Sequence, residues 1–112
     1  MADEMPRADE VINLTPQDVA AGVTAGRILL IDVREPNETA MESYPEAVVL
    51  PLSSFDPADI PDPQGKQVVF ACRSGRRSIT ASVVAQDAGF PYNHHLAGGI
   101  LAWKAAGLPT RT

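Results

Sequence analysis

At 112 residues, with 45% hydrophobic and 21% charged side chains, the chain has the size and composition of one globular domain. A formal charge of −5 argues against nonspecific nucleic-acid binding, and no apolar run approaches the ~20 residues of a membrane span. A single cysteine excludes an internal disulfide, and without a charged-then-apolar signal segment the default location is cytoplasmic.

Residues 1–10 are polar and carry Pro6, which predicts a mobile leader ahead of a domain spanning 11–112. Val11 to Leu14 fits a brief strand. Thr15 is placed to cap a helix, with Pro16 at its first position and Asp18 in its first turn. Val19, Ala20 and Val23 fall along one face of that helix, which stops near Gly26. Ile28 to Ile31 is an unbroken apolar run, as in a strand covered on both faces, and it ends at Asp32-Val33-Arg34. A short helix over Glu38 to Glu42 precedes Pro45, and Ala47 to Pro51 forms a third strand. Pro57, Pro61 and Pro63 keep Ser53 to Gly65 as loop or a single helical turn.

Gln67 to Cys72 is the next strand. Ser78 to Ala88 reads as a helix with Ile79, Val83, Val84 and Ala88 on its apolar face and Gly89 as its stop. Tyr92 to Leu96 is a last short strand and Gly98-Gly99 a turn. Ile100 to Ala106 is a final helix, with Gly107 and Pro109 beyond it. Strands alternating with helices imply an α/β fold: one three-layer domain, its mostly parallel central sheet covered by helices on both faces.

The stretch Cys72-Arg73-Ser74-Gly75-Arg76-Arg77-Ser78 stands out from this pattern. It puts the thiol of Cys72 at the carboxyl end of a buried strand, where open α/β sheets bind ligands, and at the start of a helix, where backbone N–H groups attract anions. Most solitary cysteines are small buried hydrophobes, but a structural cysteine has no use for Arg73, Arg76 and Arg77 beside it. Gly75 suits a loop whose N–H groups turn inward as a nest. Such surroundings favour the thiolate, and Cys72 is read as a nucleophile. Ser78 reads first as the helix cap and second as a hydroxyl donor to the pocket. Asp32 either contributes to the site or ties down a turn, and Arg34 with Glu38 reads as a structural pair. His94 and His95 point to opposite faces of their strand, so no metal site and no chemistry is given to them. Trp103 is core.

These residues resemble the rhodanese family of sulfurtransferases. Asp32-Val33-Arg34-Glu35 is similar to the family's aspartate-valine-arginine segment, and Cys72-Arg73-Ser74-Gly75-Arg76-Arg77-Ser78 fits its loop of cysteine, two variable residues, glycine, one variable residue, arginine and serine or threonine. Leu96-Ala97-Gly98-Gly99-Ile100 through Trp103, with Gly107-Leu108-Pro109, is similar to its carboxyl-terminal signature. Ser43 to Leu52 departs from the family: Pro45, Ala47, Pro51 and Leu52 match, but the usual glycines and histidine are missing. That turn is remote in sequence from the loop, so the departure is expected to touch packing more than chemistry.

The resemblance implies ping-pong transfer of sulfane sulfur through a Cys72 persulfide. The donor is a small anion such as thiosulfate and the acceptor is cyanide or a thiol. Arg73 to Ser78 hold the outer sulfur, Asp32 and Arg34 support the loop from behind, and no cofactor or metal is required. No general base is required if the thiol is already ionised, which agrees with the absence of any histidine near Cys72 in sequence. Four residues separate Cys72 from Arg77, one fewer than in the phosphatases and arsenate reductases that share the fold, which favours sulfur over a tetrahedral oxyanion. The alternative is a persulfide carrier for a sulfur-relay protein, without turnover, or a regulatory binding module; neither reading involves nucleic acid or membrane.

Overall fold

Two apolar runs form the centre of the molecule. Ile28–Asp32 (β2) and Gln67–Ala71 (β4) pair in parallel over their whole length in the computed structural model, which describes residues 11–112. The expected leader, residues 1–10, lies outside the described residues. Ile12–Leu14 (β1), Val48–Val49 (β3) and His94–Leu96 (β5) complete a five-stranded sheet of order β1-β5-β4-β2-β3, with every pairing parallel. This is the expected α/β class, and the sheet is wholly parallel.

The connections are helical. Pro16–Thr24 (α1) begins where the Asp18 N–H donates to Thr15 Oγ1 at 3.1 Å, as the sequence predicts. Pro36–Met41 (α2), Arg76–Asp87 (α3) and Gly99–Ala105 (α4) follow, and two single 3₁₀ turns occupy the proline-rich stretch at Leu52–Ser54 and Pro57–Asp59. Side chains alternate along a strand, so the sheet has two differently covered faces. Leu30, Val69 and Ala71 pack with Val19 of α1 and Trp103 of α4; Ile31, Val68, Phe70 and Cys72 pack with Ala81 and Ala85 of α3. Leu30, Ile31, Val69 and Phe70 are at most 1% exposed. Each such side chain contributes about 1.5–3 kcal/mol over an exposed one.

Three expectations change. The third strand shrinks from Ala47–Pro51 to two residues, because it lies at the sheet edge and pairs only with the end of β2. The helix expected over Glu38 to Glu42 starts earlier, at Pro36, with the Glu35 N–H donating to Glu38 Oε1 at 3.0 Å as half of a capping box. α3 starts at Arg76 rather than Ser78, and its buried residues are Ser78, Ala81, Ser82 and Ala85, while Val84 and Ala88 face solvent. Small side chains occupy the inner face because the helix runs close over the end of β4. Apolarity alone pointed to the neighbouring face.

Candidate active site

The end of β4 delivers Cys72 on the same sheet face as Phe70, under the first turn of α3, and the residue is fully buried. Gly75 is the residue before the helix and has φ +101, a conformation open to glycine and strained for other residues. That turn aims two backbone donors at the sulfur: the Gly75 N–H reaches Cys72 Sγ at 3.1 Å and the Ser78 N–H at 3.4 Å. Ser78 Oγ lies 3.5 Å from Sγ. The thiol is thus covered from solvent, with the surrounding peptide hydrogens directed inward, and the positive end of α3 faces it.

The backbone of Cys72 is held as firmly as its sulfur is surrounded. Its carbonyl accepts the Ile100 N–H at 2.9 Å and the Tyr44 hydroxyl at 2.6 Å, and the Arg73 carbonyl accepts the Leu101 N–H at 3.2 Å. The first turn of α4 therefore seats directly on the loop. A Cβ on Gly99 would lie 2.3 Å from the Arg73 carbonyl oxygen and 2.6 Å from that of Cys72, so only glycine allows this approach. Burial pushes the Tyr44 phenol above its ordinary range, and the charges of Asp32 and Cys72 add to this; it remains a donor. The Ser43–Glu46 turn, remote from the loop in sequence, is brought against it in the fold by Tyr44.

Arg34 does not pair with Glu38 as expected. Its guanidinium forks onto buried Asp32, at 2.8 Å from Nη2 to Oδ2, and the Arg34 N–H also donates to Asp32 Oδ1. Asp32 thereby ties down the turn after β2 and neutralises a buried cation. Glu38 instead receives Arg77, whose two terminal nitrogens donate to its two oxygens at 2.6 and 2.8 Å. That fork, helped by the Glu35 N–H, lowers the Glu38 carboxyl to about 2. Proximity in sequence suggested the nearer partner; α2 and α3 converge and supply the better one.

Ser78 is not the helix cap. Gly75 precedes the helix, and the Ser78 hydroxyl points into the site, where it meets Sγ and lies 2.8 Å from His95 Nδ1. His95 is the residue the sequence reading left without a role. Strand alternation does place His94 and His95 on opposite faces, but the His95 face is the one shared with Phe70 and Cys72. The signal available in the sequence was parity along β5 combined with a parallel partner strand. Arg73, Ser74 and Arg76 are exposed. Beside them a cleft of about 330 Å³ opens, lined by Arg73, Arg34, Glu38, Met41, Glu42 and Lys104 among others.

A cysteine at the carboxyl end of a central parallel strand, with its sulfur in a nest of amides at a helix start, defines an α/β domain with a cysteine loop at the carboxyl end of its sheet. The chain matches the rhodanese-like domain family over residues 15–106 and belongs to it. It is 46% identical over 83 residues to an uncharacterised protein of Synechocystis, covering 74% of this chain and 46% of that protein. It is 38% identical over 82 residues to a sulfurtransferase of Allochromatium vinosum, covering 73% of this chain and 77% of that one. The chain thus spans less than half the length of the first of these relatives. A solved Rhodopseudomonas palustris protein of unknown function, described as a possible tyrosine phosphatase, superposes with TM-score 0.77 at 30% identity, over 92% of this chain and 86% of that one.

Proposed function

We propose that this domain is a sulfurtransferase that moves sulfane sulfur from an anionic donor such as thiosulfate, through a persulfide on Cys72, to cyanide or a thiol. The observation that carries the reading is the pair of amide hydrogens, from Gly75 and Ser78, aimed at Sγ at 3.1 and 3.4 Å. They stabilise a thiolate, and a small shift lets the same nest hold the outer sulfur of a persulfide anion. In the first half-reaction the Cys72 thiolate attacks the outer sulfur of thiosulfate. A Cys72 Sγ–S bond forms, the sulfur–sulfur bond of the donor breaks, and its electron pair leaves with sulfite. In the second, the acceptor attacks the outer sulfur and the Cys72 thiolate is the leaving group.

Arg77 separates this reading from phosphatase chemistry. A tetrahedral oxyanion is best read by a free guanidinium fork, and both terminal nitrogens of Arg77 are engaged by Glu38. Arg73 and Arg76, exposed and without a carboxylate partner among the described residues, draw in the donor instead. A nucleophilic thiol needs a compartment that keeps it reduced, which favours the cytoplasm.

The burial of Cys72 favours a second reading, a persulfide carrier for a sulfur-relay protein. With Cys72 fully buried, a small donor reaches Sγ only after a local opening, and a docked partner could drive that opening. Intact mass after incubation with thiosulfate tests both. A gain of one sulfur, removed by cyanide and absent in Cys72→Ser, is expected; no gain from thiosulfate or from a persulfidated protein donor would refute the proposal. Steady-state turnover with thiosulfate and cyanide then separates enzyme from carrier.

A further inference from the structure

Three side chains, two of them buried, continue the site away from the loop. Cys72 Sγ meets Ser78 Oγ at 3.5 Å, Ser78 Oγ meets His95 Nδ1 at 2.8 Å, and His95 Nε2 meets Asn13 Oδ1 at 2.6 Å. The sheet sets up this row: Asn13 and His95 are register partners on β1 and β5, and His95 is the partner of Phe70, two residues before Cys72 on the same face. Asn13 is exposed, so the chain runs from a covered sulfur to solvent.

The hydrogens along it have one consistent direction. An amide oxygen can only accept, so His95 carries its hydrogen on Nε2 and presents a bare Nδ1. Ser78 therefore donates its hydroxyl to Nδ1, which turns an oxygen lone pair toward the Cys72 S–H. We infer that Ser78 and His95 form a proton relay that ionises Cys72, with Ser78 touching the sulfur and His95 acting through it as a positioning residue and proton acceptor. In that step the S–H bond breaks as an Oγ–H bond forms, and the original Ser78 O–H bond breaks as Nδ1–H forms. The products are a thiolate and an imidazolium, with net charge unchanged.

Burial lowers the proton affinity of His95, which keeps it in the accepting form near neutral pH. Facing the ring are Ser78 from α3, Asn13 from β1 and the backbone of Gly75, with the Cys72 sulfur on the far side of the Ser78 hydroxyl. Among the described residues no carboxylate and no cation pairs with it. An imidazolium there has only the thiolate, one hydroxyl away, to balance it. This deepens the sulfur-transfer reading and rests on it for its purpose, but its test needs no sulfur.

The rate of Cys72 alkylation by iodoacetamide, followed against pH, reads the thiolate directly. The wild-type profile should carry the inflection of an imidazole. His95→Gln, which can accept the hydroxyl hydrogen bond but cannot take a proton, should lose that inflection and react about ten-fold more slowly at neutral pH. Ser78→Ala should slow alkylation similarly, adding His95→Gln to it should cost little more, and Ser78→Thr should restore the rate. Should His95→Gln fail to fold, nuclear magnetic resonance titration of the His95 ring in wild type and Cys72→Ala provides the reciprocal test. The ring should titrate at lower pH once the thiol is gone. Unchanged alkylation profiles in folded His95→Gln, or identical His95 titrations with and without the thiol, would overturn the relay. An intact relay without persulfide formation would instead sink the sulfur-transfer reading alone.

Discussion

Tyr44 donates its hydroxyl to the backbone carbonyl of Cys72 at 2.6 Å, across 28 residues of sequence and inside the core. This bond joins the segment between α2 and β3 to the Cys72 loop, and it leaves the ring edge-on to Trp103 and under the Arg34 guanidinium. Tyr44→Phe keeps the packing and removes one donor. The carbonyl retains the Ile100 N–H, so it is not left unsatisfied. A loss of about 1 kcal/mol is expected in urea denaturation, together with slower transfer as the loop loses one anchor.

Gly99→Ala should be far more damaging than its size suggests. The new methyl would meet the Arg73 carbonyl at 2.3 Å, and backbone cannot move aside as a side-chain tip can. Gly107 also has positive φ, at +78, but has nothing within 4 Å of its missing Cβ. Gly107→Ala is therefore expected to cost about 1 kcal/mol, from backbone conformation alone. Gly99→Ala should cost clearly more, and should also change the alkylation rate of Cys72. Thermal unfolding of the two variants side by side measures the difference.

The Arg77–Glu38 pair predicts an acid limb in stability. The Glu38 carboxyl is lowered from 4.5 to about 2, first by the Arg77 hydrogen bonds. A group whose folded pKa is depressed stabilises the fold above its unfolded value and loses that contribution as pH falls through the folded one. The pair should therefore contribute fully above pH 4.5 and fade toward about 2. Glu38→Gln should lower Tm at neutral pH, and its deficit against wild type should shrink across that window. A deficit that stays constant down to the acid end would contradict this origin.

Arg73 and Arg76 are expected to act on the donor's charge rather than on the sulfur. Arg73→Glu should raise the KM for thiosulfate about five- to ten-fold, with the difference narrowing at high salt. Alkylation by neutral iodoacetamide should change much less. Equal losses in both assays would place Arg73 in the loop's structure instead.

Much of this protein could be read from the residues in order. Ile28 to Ile31 and Gln67 to Cys72 are apolar runs whose neighbours are turn-formers, so their burial as parallel strands follows from local composition. Thr15-Pro16 starts a helix by side-chain chemistry that acts within three residues. The cysteine, glycine and arginines of the loop are contiguous, so the candidate nucleophile and its nest were legible for the same reason.

What folding decided is everything that depends on which strands become neighbours. His95 lies 17 residues beyond Ser78 and Asn13 lies 82 residues before His95, yet strand register sets Asn13 beside His95 and the packing of α3 on the sheet brings Ser78 to its other ring nitrogen. Arg77 takes Glu38 from 39 residues away, leaving Arg34 to Asp32. Local propensity fixes where a strand or helix begins, because its interactions span a turn. The partners of a buried charge or a thiol are fixed by packing, since desolvation makes each polar group accept whatever complementary group the closed core brings within reach.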